Sequence, residues 1–279
     1  MPPHTVLVTG ASTGIGRATA LLLDSHGFTV FAGVRRPADA ASLVSEASAS
    51  LMPLILDVTM PSDIAAAARA ITAAVGGAGL DGLVNNAGTA HPAPLEFVPL
   101  QSFRDQLEVN LVGQLGVTQA MLPLLRIAKG RIINVTSIGG LIAGTMLGSY
   151  NASKFGLEAL THVLRQELAP WGIEAIAIAP GQIATPIWAT SSSRSGEIIT
   201  SAATALYGKK IAGARRMATR AAANGLPAIE VAKVIEKALT AKKPKTRYAV
   251  GTDAKLGSAI IARLPDRARD RLFAGRRKK

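Results

Sequence analysis

In the run GSYNASKFG, residues 148–156, Tyr150 stands four positions ahead of Lys154, and it is one of only three tyrosines in the chain. On a helix that spacing puts both side chains on one face. A phenol ordinarily ionises near pH ~10, too high for a base at neutral pH. A nearby cation stabilises the phenolate and lowers that value. A general acid or base works best with its pKa close to ambient pH, so the pair reads as a proton-transfer device. It reads equally as a core aromatic beside a lysine whose stem lies along the helix. The elements around the pair decide between the two.

Those elements alternate between strand and helix patterns. Short apolar, β-rich runs occur at 5–10 (TVLVTG), 29–34, 54–58, 82–88 (GLVNNAG), 130–137, 173–181 and 246–251. Helical patterns lie between them, at 17–26, near 38–49, at 61–75, 101–126, 149–169 and 228–241. Pro61 and Ser62 open the third of these and Gly76-Gly77 close it. Pro123 is expected to kink or end the fourth. The strands are near-continuous apolar runs, as in a parallel sheet covered on both faces. Each crossover is then right-handed. The fold class expected is α/β, a Rossmann-type doubly wound parallel sheet of about seven strands with helices on both faces, binding ligands beyond the strands' carboxyl ends.

After Thr185 the texture changes. Residues 186–226 are rich in Ser, Gly and Ala with weak periodicity, and read as a mobile insert of short helices over the site. Leu256, Ile260 and Leu264 recur at a spacing of four, which predicts an amphipathic helix over 253–274, interrupted by Pro265. No repeat or long linker divides the chain, so residues 1–279 are expected to form a single domain.

The turn TGASTGIG, residues 9–16, falls between the first strand and the first helix. Gly10, Gly14 and Gly16 permit a tight turn and let backbone N–H groups approach a pyrophosphate. The following helix offers its positive end to that charge. Packing alone accounts equally well for such a turn. Its spacing departs from G-x-G-x-x-G, and no lysine follows as in a P-loop. At the end of the second strand, folds that bind NAD place a carboxylate for the ribose 2′-hydroxyl. Here the run is VFAGVRR, with Val34, Arg35 and Arg36 and no carboxylate. Two guanidiniums suit a 2′-phosphate, so NADP(H) is expected in preference to NAD(H). A solvated charge pair is the alternative. Ser12 is a further candidate for the phosphate side.

Composition excludes other chemistries. The chain has 0 cysteines, so disulfides, thiolate catalysis and thiol metal sites are out. Its four histidines are scattered, and none pairs with another at a metal-ligand spacing, so no metal is expected. The opening MPPHTVLVTG has neither a basic region nor a long apolar region of a signal peptide, and no run of about 20 consecutive apolar residues is present. A cytoplasmic protein is expected, and the glycosylation patterns at Asn134 and Asn151 read as chance matches. The formal charge of +13 is concentrated in residues 242–279, which hold thirteen Lys or Arg against three Asp. The tail 253–279 is either a solvated face or a peripheral anchor to an anionic membrane. No base-reading motif accompanies the charge, so nucleic acid is not an expected partner.

The motifs TGASTGIG, Asp57, NNAG (85–88), Asn110, Ser137, YNASK (150–154) and PGQIAT (180–185) occur in order and at matching spacing, and by them the chain resembles the short-chain dehydrogenase/reductase family. The resemblance covers about residues 5–185 and continues more weakly to about 251. It implies a catalytic tetrad of Asn110, Ser137, Tyr150 and Lys154. It implies cofactor contacts at Gly10, Ser12, Gly14, Ile15, Gly16, Asp57, Val58, Asn86, Ala87, Gly88, Pro180, Gly181, Ile183 and Thr185, with Lys154 donating to the nicotinamide ribose. Asp57 and Val58 would border the adenine. The Ile183 backbone and Thr185 would reach the carboxamide. It also implies a homo-oligomer formed through the helices that carry Asn110 and Tyr150.

Physical chemistry supports those roles. Hydride transfer between an alcohol carbon and nicotinamide requires a proton to move on or off the oxygen, which falls to Tyr150. Ser137 ends a strand at the carboxyl edge, where its hydroxyl can hold the substrate oxygen. Asn110 sits inside a helix despite poor propensity, and its amide is placed to orient a relay water beside Lys154. Ile187, Trp188, Ile198, Ile199, Leu206, Tyr207 and Met217, with Met146, Leu147, Leu95 and Phe97, are candidates for an apolar substrate pocket. No cluster of Arg or Glu points to a strongly charged substrate. The expected activity is an NADP(H)-dependent oxidoreductase on an apolar or bulky alcohol or carbonyl, of steroid, retinoid, fatty or aromatic type. The rivals are an NAD-dependent alcohol dehydrogenase of the same fold and a non-catalytic dinucleotide-binding regulatory protein. The complete tetrad argues against the second.

Overall fold

Successive side chains of a strand point to opposite faces, and here both faces are apolar. In the computed structural model, which describes residues 4–274, Val6 and Val8 of the first strand enter one core while Leu7 enters the other. Val30, Ala32 and Val34 oppose Phe31 in the second strand in the same way. Two cores on two faces require helices on both sides.

The elements in chain order are β1 (Thr5–Val8), α1 (Gly14–Ser25), β2 (Thr29–Val34), α2 (Pro37–Val44), β3 (Leu51–Ile55), α3 (Pro61–Val75), β4 (Gly82–Asn85), α4 (Leu100–Leu107), α5 (Gly113–Ala128), β5 (Arg131–Val135) and α6 (Gly148–Glu167). They continue as β6 (Glu174–Pro180), β7 (Ile183–Ala184), α7 (Ile187–Ile198), α8 (Ser201–Asn224), β8 (Leu226–Pro227), α9 (Ala228–Thr240), β9 (Arg247–Val250), α10 (Thr252–Ala259) and α11 (Asp266–Ala274). Seven strands form one parallel sheet in the order β3-β2-β1-β4-β5-β6-β9. The chain reverses direction across the sheet between β1 and β4, which opens a crevice beyond their carboxyl ends. This is the Rossmann-type doubly wound sheet expected from the sequence.

Several boundaries differ from the sequence reading, each for a physical reason. β3 runs from 51 to 55 rather than 54 to 58. It is an edge strand, where Pro53 costs no ladder bond, and Leu56 and Val58 are buried just past its end. The helix expected at 101–126 runs from Leu100 to Ala128, with Pro123 inside it and a π-helical turn, Glu108–Val112, between α4 and α5. An 18-residue window of that helix is apolar enough to cross a membrane, yet Val117, Met121, Leu124 and Leu125 pack it against the sheet.

The 186–226 segment holds α7 and a 24-residue helix, α8, instead of short helices. α8 is rich in alanine, the best helix former, and buries only Ala203, Ile211 and Ala221. Three buried positions spaced eight and ten apart leave little periodicity to read. The amphipathic helix expected at 253–274 is broken after Ala259. α10 buries Ala254 and Gly257, leaving Leu256 55% and Ile260 54% exposed. The glycosylation patterns fall on Asn134 and Asn151, both buried.

Candidate active site

The crevice is stitched together by backbone groups. Thr9 ends the β1 side and its hydroxyl accepts from the N–H groups of Asn86 (2.9 Å) and Ala87 (3.1 Å). The Asn86 amide donates back to the carbonyls of Thr9 (2.9 Å) and Gly10 (3.2 Å). The glycine turn and NNAG are therefore one rigid unit. Gly10 adopts φ +64, and a Cβ at Gly16 would lie 2.2 Å from the Gly10 carbonyl oxygen. No other residue fits there without moving backbone. A Cβ at Gly14 would meet Thr185 at 3.3 Å, so the loop after β6 comes down onto the glycine turn. Ser12 is half-buried on the same turn, and Ile15 packs onto the core below it.

Below the crevice floor, Asn85 donates to Thr118 (2.8 Å) and Asn134 (2.9 Å), and Asn134 donates to Thr161 (2.8 Å). This polar ladder joins β4, β5, α5 and α6 inside the core. Asn85 and Asn134 face each other in the strand register.

The four residues expected to do chemistry converge at the carboxyl edge. Ser137 follows β5, accepts from the Gly139 N–H at 3.0 Å, and its hydroxyl faces the Tyr150 phenol and opposes the rise in its pKa. It thus caps a loop and touches Tyr150 at once. Lys154 is buried, and its Nζ donates to the Val135 carbonyl at 2.8 Å. That nitrogen lies 5.9 Å from the Tyr150 ring centroid. Asn110 sits in the π-helical turn, accepts from the Thr89 N–H (2.8 Å), and donates to the Thr89 carbonyl (2.9 Å) and Ser153 (3.0 Å). Its amide therefore braces the loop after Gly88, where the sequence suggested a role in orienting water.

The electrostatics also depart from the simple expectation. Burial pushes the Tyr150 phenol above its ordinary value, and the Ser137 hydroxyl only partly offsets this. Burial pushes Lys154 down to about 8, with the Glu158 carboxylate opposing. Lys154 spends one donor on the Val135 carbonyl. At neutral pH the pair is a protonated phenol beside an ammonium, the form that donates a proton to a carbonyl oxygen.

Sequence reasoning missed the supports. Asn151 donates to the Gly139 carbonyl (2.7 Å) and accepts from Gly144 (3.1 Å), pinning the loop over Tyr150. Ser153 donates to the Tyr150 carbonyl (2.7 Å). Glu158 accepts from Thr136 (2.8 Å) and pairs with Arg247. Asn151 and Ser153 lie within YNASK, so the motif itself was the signal. Met146, at φ +71, is a strained non-glycine residue beside the site.

On the nucleotide side the two arginines separate. Arg36 forms a two-point pair with Asp39 (2.9 and 2.8 Å), a carboxylate the sequence reading overlooked, which holds the Asp39 carboxyl below its ordinary range. Arg35 is exposed and has no ion-pair partner among the described residues. Asp57 accepts from Thr59 (3.0 and 2.8 Å) and Val58 is buried. Pro180 ends β6, while Gly181 is glycine because Asp253 occupies the space a Cβ would take. The Ile183 carbonyl accepts from the Trp188 indole at 2.6 Å.

A cavity of ≈ 40 Å³ lies under α7 and α8, lined in part by Met146, Leu147, Trp188, Ile199, Ile211 and Met217. Of the apolar candidates, Leu206 (69%) and Leu95 (60%) are instead exposed, and Ile198 is buried away from the cavity. Tyr207 packs on Phe97 and donates to Glu96 at 2.7 Å, tying α8 to the 95–97 turn. Ser191, Ser195 and Arg215 also line the cavity and were not foreseen.

A doubly wound sheet, a tight glycine turn at its crevice and a half-buried phenol beside a buried ammonium define a dinucleotide-type oxidoreductase. The family model described as short chain dehydrogenase matches residues 4–196, and the chain belongs to that family. It is 39% identical over 274 residues to retinol dehydrogenase 5 of Mus musculus, covering 95% of this chain and 86% of that one. It is 35% identical to an NADPH-dependent 3-dehydrocapnine reductase of Ornithobacterium rhinotracheale, covering 96% and 95%. A solved short-chain dehydrogenase from Streptomyces avermitilis superposes with TM-score 0.78 at 28% identity, covering 98% and 96%.

Proposed function

We propose that the protein is an NADP(H)-dependent oxidoreductase interconverting an alcohol and a carbonyl on an apolar, bulky substrate of retinoid, steroid or fatty type. The observation that carries this reading is the half-buried Tyr150 side chain, its phenol facing the Ser137 hydroxyl and its ring 5.9 Å from the buried Lys154 nitrogen. The bare backbone at Gly10 and Gly16 fits a pyrophosphate, and the unpaired Arg35 fits a 2′-phosphate. The NADPH dependence of the Ornithobacterium relative and the retinol named for the mouse relative favour the same cofactor and substrate class.

The bound cofactor supplies the hydride. Ser137 holds the substrate oxygen, and Tyr150 gives that oxygen its proton in reduction or removes it in oxidation. Lys154 holds positive charge beside the phenol and offers its remaining protons to the ribose hydroxyls. Asn110 fixes the loop after Gly88, which faces Lys154. Gly14, Ser12, Asn86, Ala87, Thr185 and the Ile183 backbone would hold the dinucleotide, with Asp57 and Val58 toward its adenine. Residues 186–226 act as a lid. The cavity beneath holds only a few waters, so α7 and α8 move apart to admit substrate.

An NAD-dependent enzyme is the second reading, favoured by the carboxylate of Asp39 in the first turn of α2, beside Arg36. A homo-oligomer through the helices carrying Asn110 and Tyr150 would cover the exposed Val112, Phe155 and Val163. Peripheral contact of a cytoplasmic enzyme with an anionic membrane would use Leu256 and Ile260 with the basic tail, of which residues 275–279 lie outside the described residues.

Steady-state kinetics with NADPH and NADH on a panel of ketones test the reading. The expected result is a lower KM for NADPH, raised about ten-fold by Arg35→Asp, with turnover of apolar ketones. A lower KM for NADH overturns the cofactor assignment. Activity confined to small sugars overturns the substrate class.

A further inference from the structure

The lid helix α8 has an unusual charge distribution. Its 24 residues include Lys209, Lys210, Arg215, Arg216 and Arg220 and no Asp or Glu. All five cations are exposed, and none makes an ion pair among the described residues. Arg215 alone of the five lines the cavity under the lid. Its neighbours in that lining are apolar, including Met146, Trp188, Ile211 and Met217. Ser191 lines it as well, 2% exposed, with a buried hydroxyl that has no hydrogen-bond partner among the described residues.

An apolar cavity gains nothing from an unpaired guanidinium unless the ligand carries the countercharge. A guanidinium presents a planar fork of donors that matches the oxygens of a carboxylate, phosphate or sulfonate. An unpaired buried hydroxyl adds a further donor and carries a cost until a partner arrives. The other four cations stand on the same helix and add a positive field that attracts anions from a distance.

We propose that the substrate is an anionic amphiphile, whose apolar body fills the cavity and whose terminal oxyanion is held by Arg215 with help from Ser191. This deepens the proposed function and rests on it. It also revises the expectation that no basic cluster bears on the substrate. The cations of the chain are not confined to its C-terminal tail. A second set stands on the lid, and one of them, Arg215, is exposed and also lines the pocket.

The test compares soluble ketones of one carbon skeleton that end in a carboxylate, in a phosphate monoester, or in a neutral amide. Wild type should show kcat/KM about ten-fold or more higher for the two anions, and the advantage should shrink with added salt. Arg215→Gln should remove most of it through KM, leaving kcat and the amide unaffected. Arg216→Gln, outside the lining, should leave the pocket preference in place. Equal kcat/KM for anionic and neutral forms overturns the inference while leaving the oxidoreductase reading intact. Turnover of none of them, on top of no turnover across apolar ketones, overturns both. Equal losses in Arg215→Gln and Arg216→Gln, matched by lost binding to vesicles of anionic phospholipid, assign the cations to a membrane surface and overturn the pocket role.

Discussion

Around Tyr150, each of Asn85, Asn110, Asn134 and Asn151 joins two or more elements through its amide. Across the crevice, among the described residues, α8 is attached by an exposed bond from Tyr207 to Glu96 and by a narrow stripe of three buried side chains. The first region is cross-linked and the second is laid on. Proton transfer needs atoms held to a fraction of an ångström, whereas a lid has to open. Regions with few buried contacts are those that open at low free-energy cost. The difference in construction matches the division of labour proposed above, in which one region does the chemistry and the other admits substrate.

The largest effect that distinguishes the regions is expected at Gly16. Gly16→Ala drives a methyl into the Gly10 carbonyl and the Asn86 amide, and should destabilise the fold by about 3 kcal/mol. Cofactor affinity should fall with it. Chemical denaturation and a cofactor titration measure the two. Unchanged stability would mean that the turn is loose and that the contrast with the lid is false.

Asn85→Leu should come next. It leaves Asn134 and Thr118 without a buried donor, at a cost of about 2 kcal/mol. The denaturation midpoint reads it directly, and a neutral result would show that water replaces the amide.

Lys154 gives a pH-dependent effect. Its folded value, about 8, lies below its ordinary 10.5. Between those values the unfolded chain binds more protons than the folded one, so stability rises with pH across that window. The burial penalty is complete below about 8 and gone above 10.5. Lys154→Met should therefore be more stable than wild type at pH 7 and inactive, with the stability gap closing as pH rises. A gap independent of pH contradicts the assignment.

Tyr207→Phe should be the smallest. Losing the exposed bond to Glu96 should leave the denaturation midpoint unchanged and alter only the KM of bulky substrates. A loss of global stability would show the lid to be as firmly built as the cradle.

The same contrast governs what was legible in the sequence. The crevice is made by residues whose type is dictated locally. Gly16 must lack a Cβ, and Tyr150 and Lys154 must share a helix face, so their spacing survives as a pattern. β2 and α3 were read to the residue because their apolar runs are bounded by clear breakers. α8 was not, since an alanine-rich helix buried at three widely spaced positions has almost no hydrophobic period. Leu256 and Ile260 misled for the opposite reason: they have the period but face away from the core. Partnerships across the fold, such as Arg36 with Asp39 or Glu158 with Arg247, depend on side-chain orientation, which spacing alone does not encode.

The central claim is that the Tyr150 phenol moves the proton. Tyr150→Phe removes one oxygen and leaves the ring, the Lys154–Val135 bond and the glycine cradle in place. Single-turnover reduction of an apolar ketone, with NADPH affinity measured separately by fluorescence titration, tests it directly. The account predicts a rate lower by about 10³-fold with affinity unchanged. Reduction at close to the wild-type rate, with the same affinity, would contradict it.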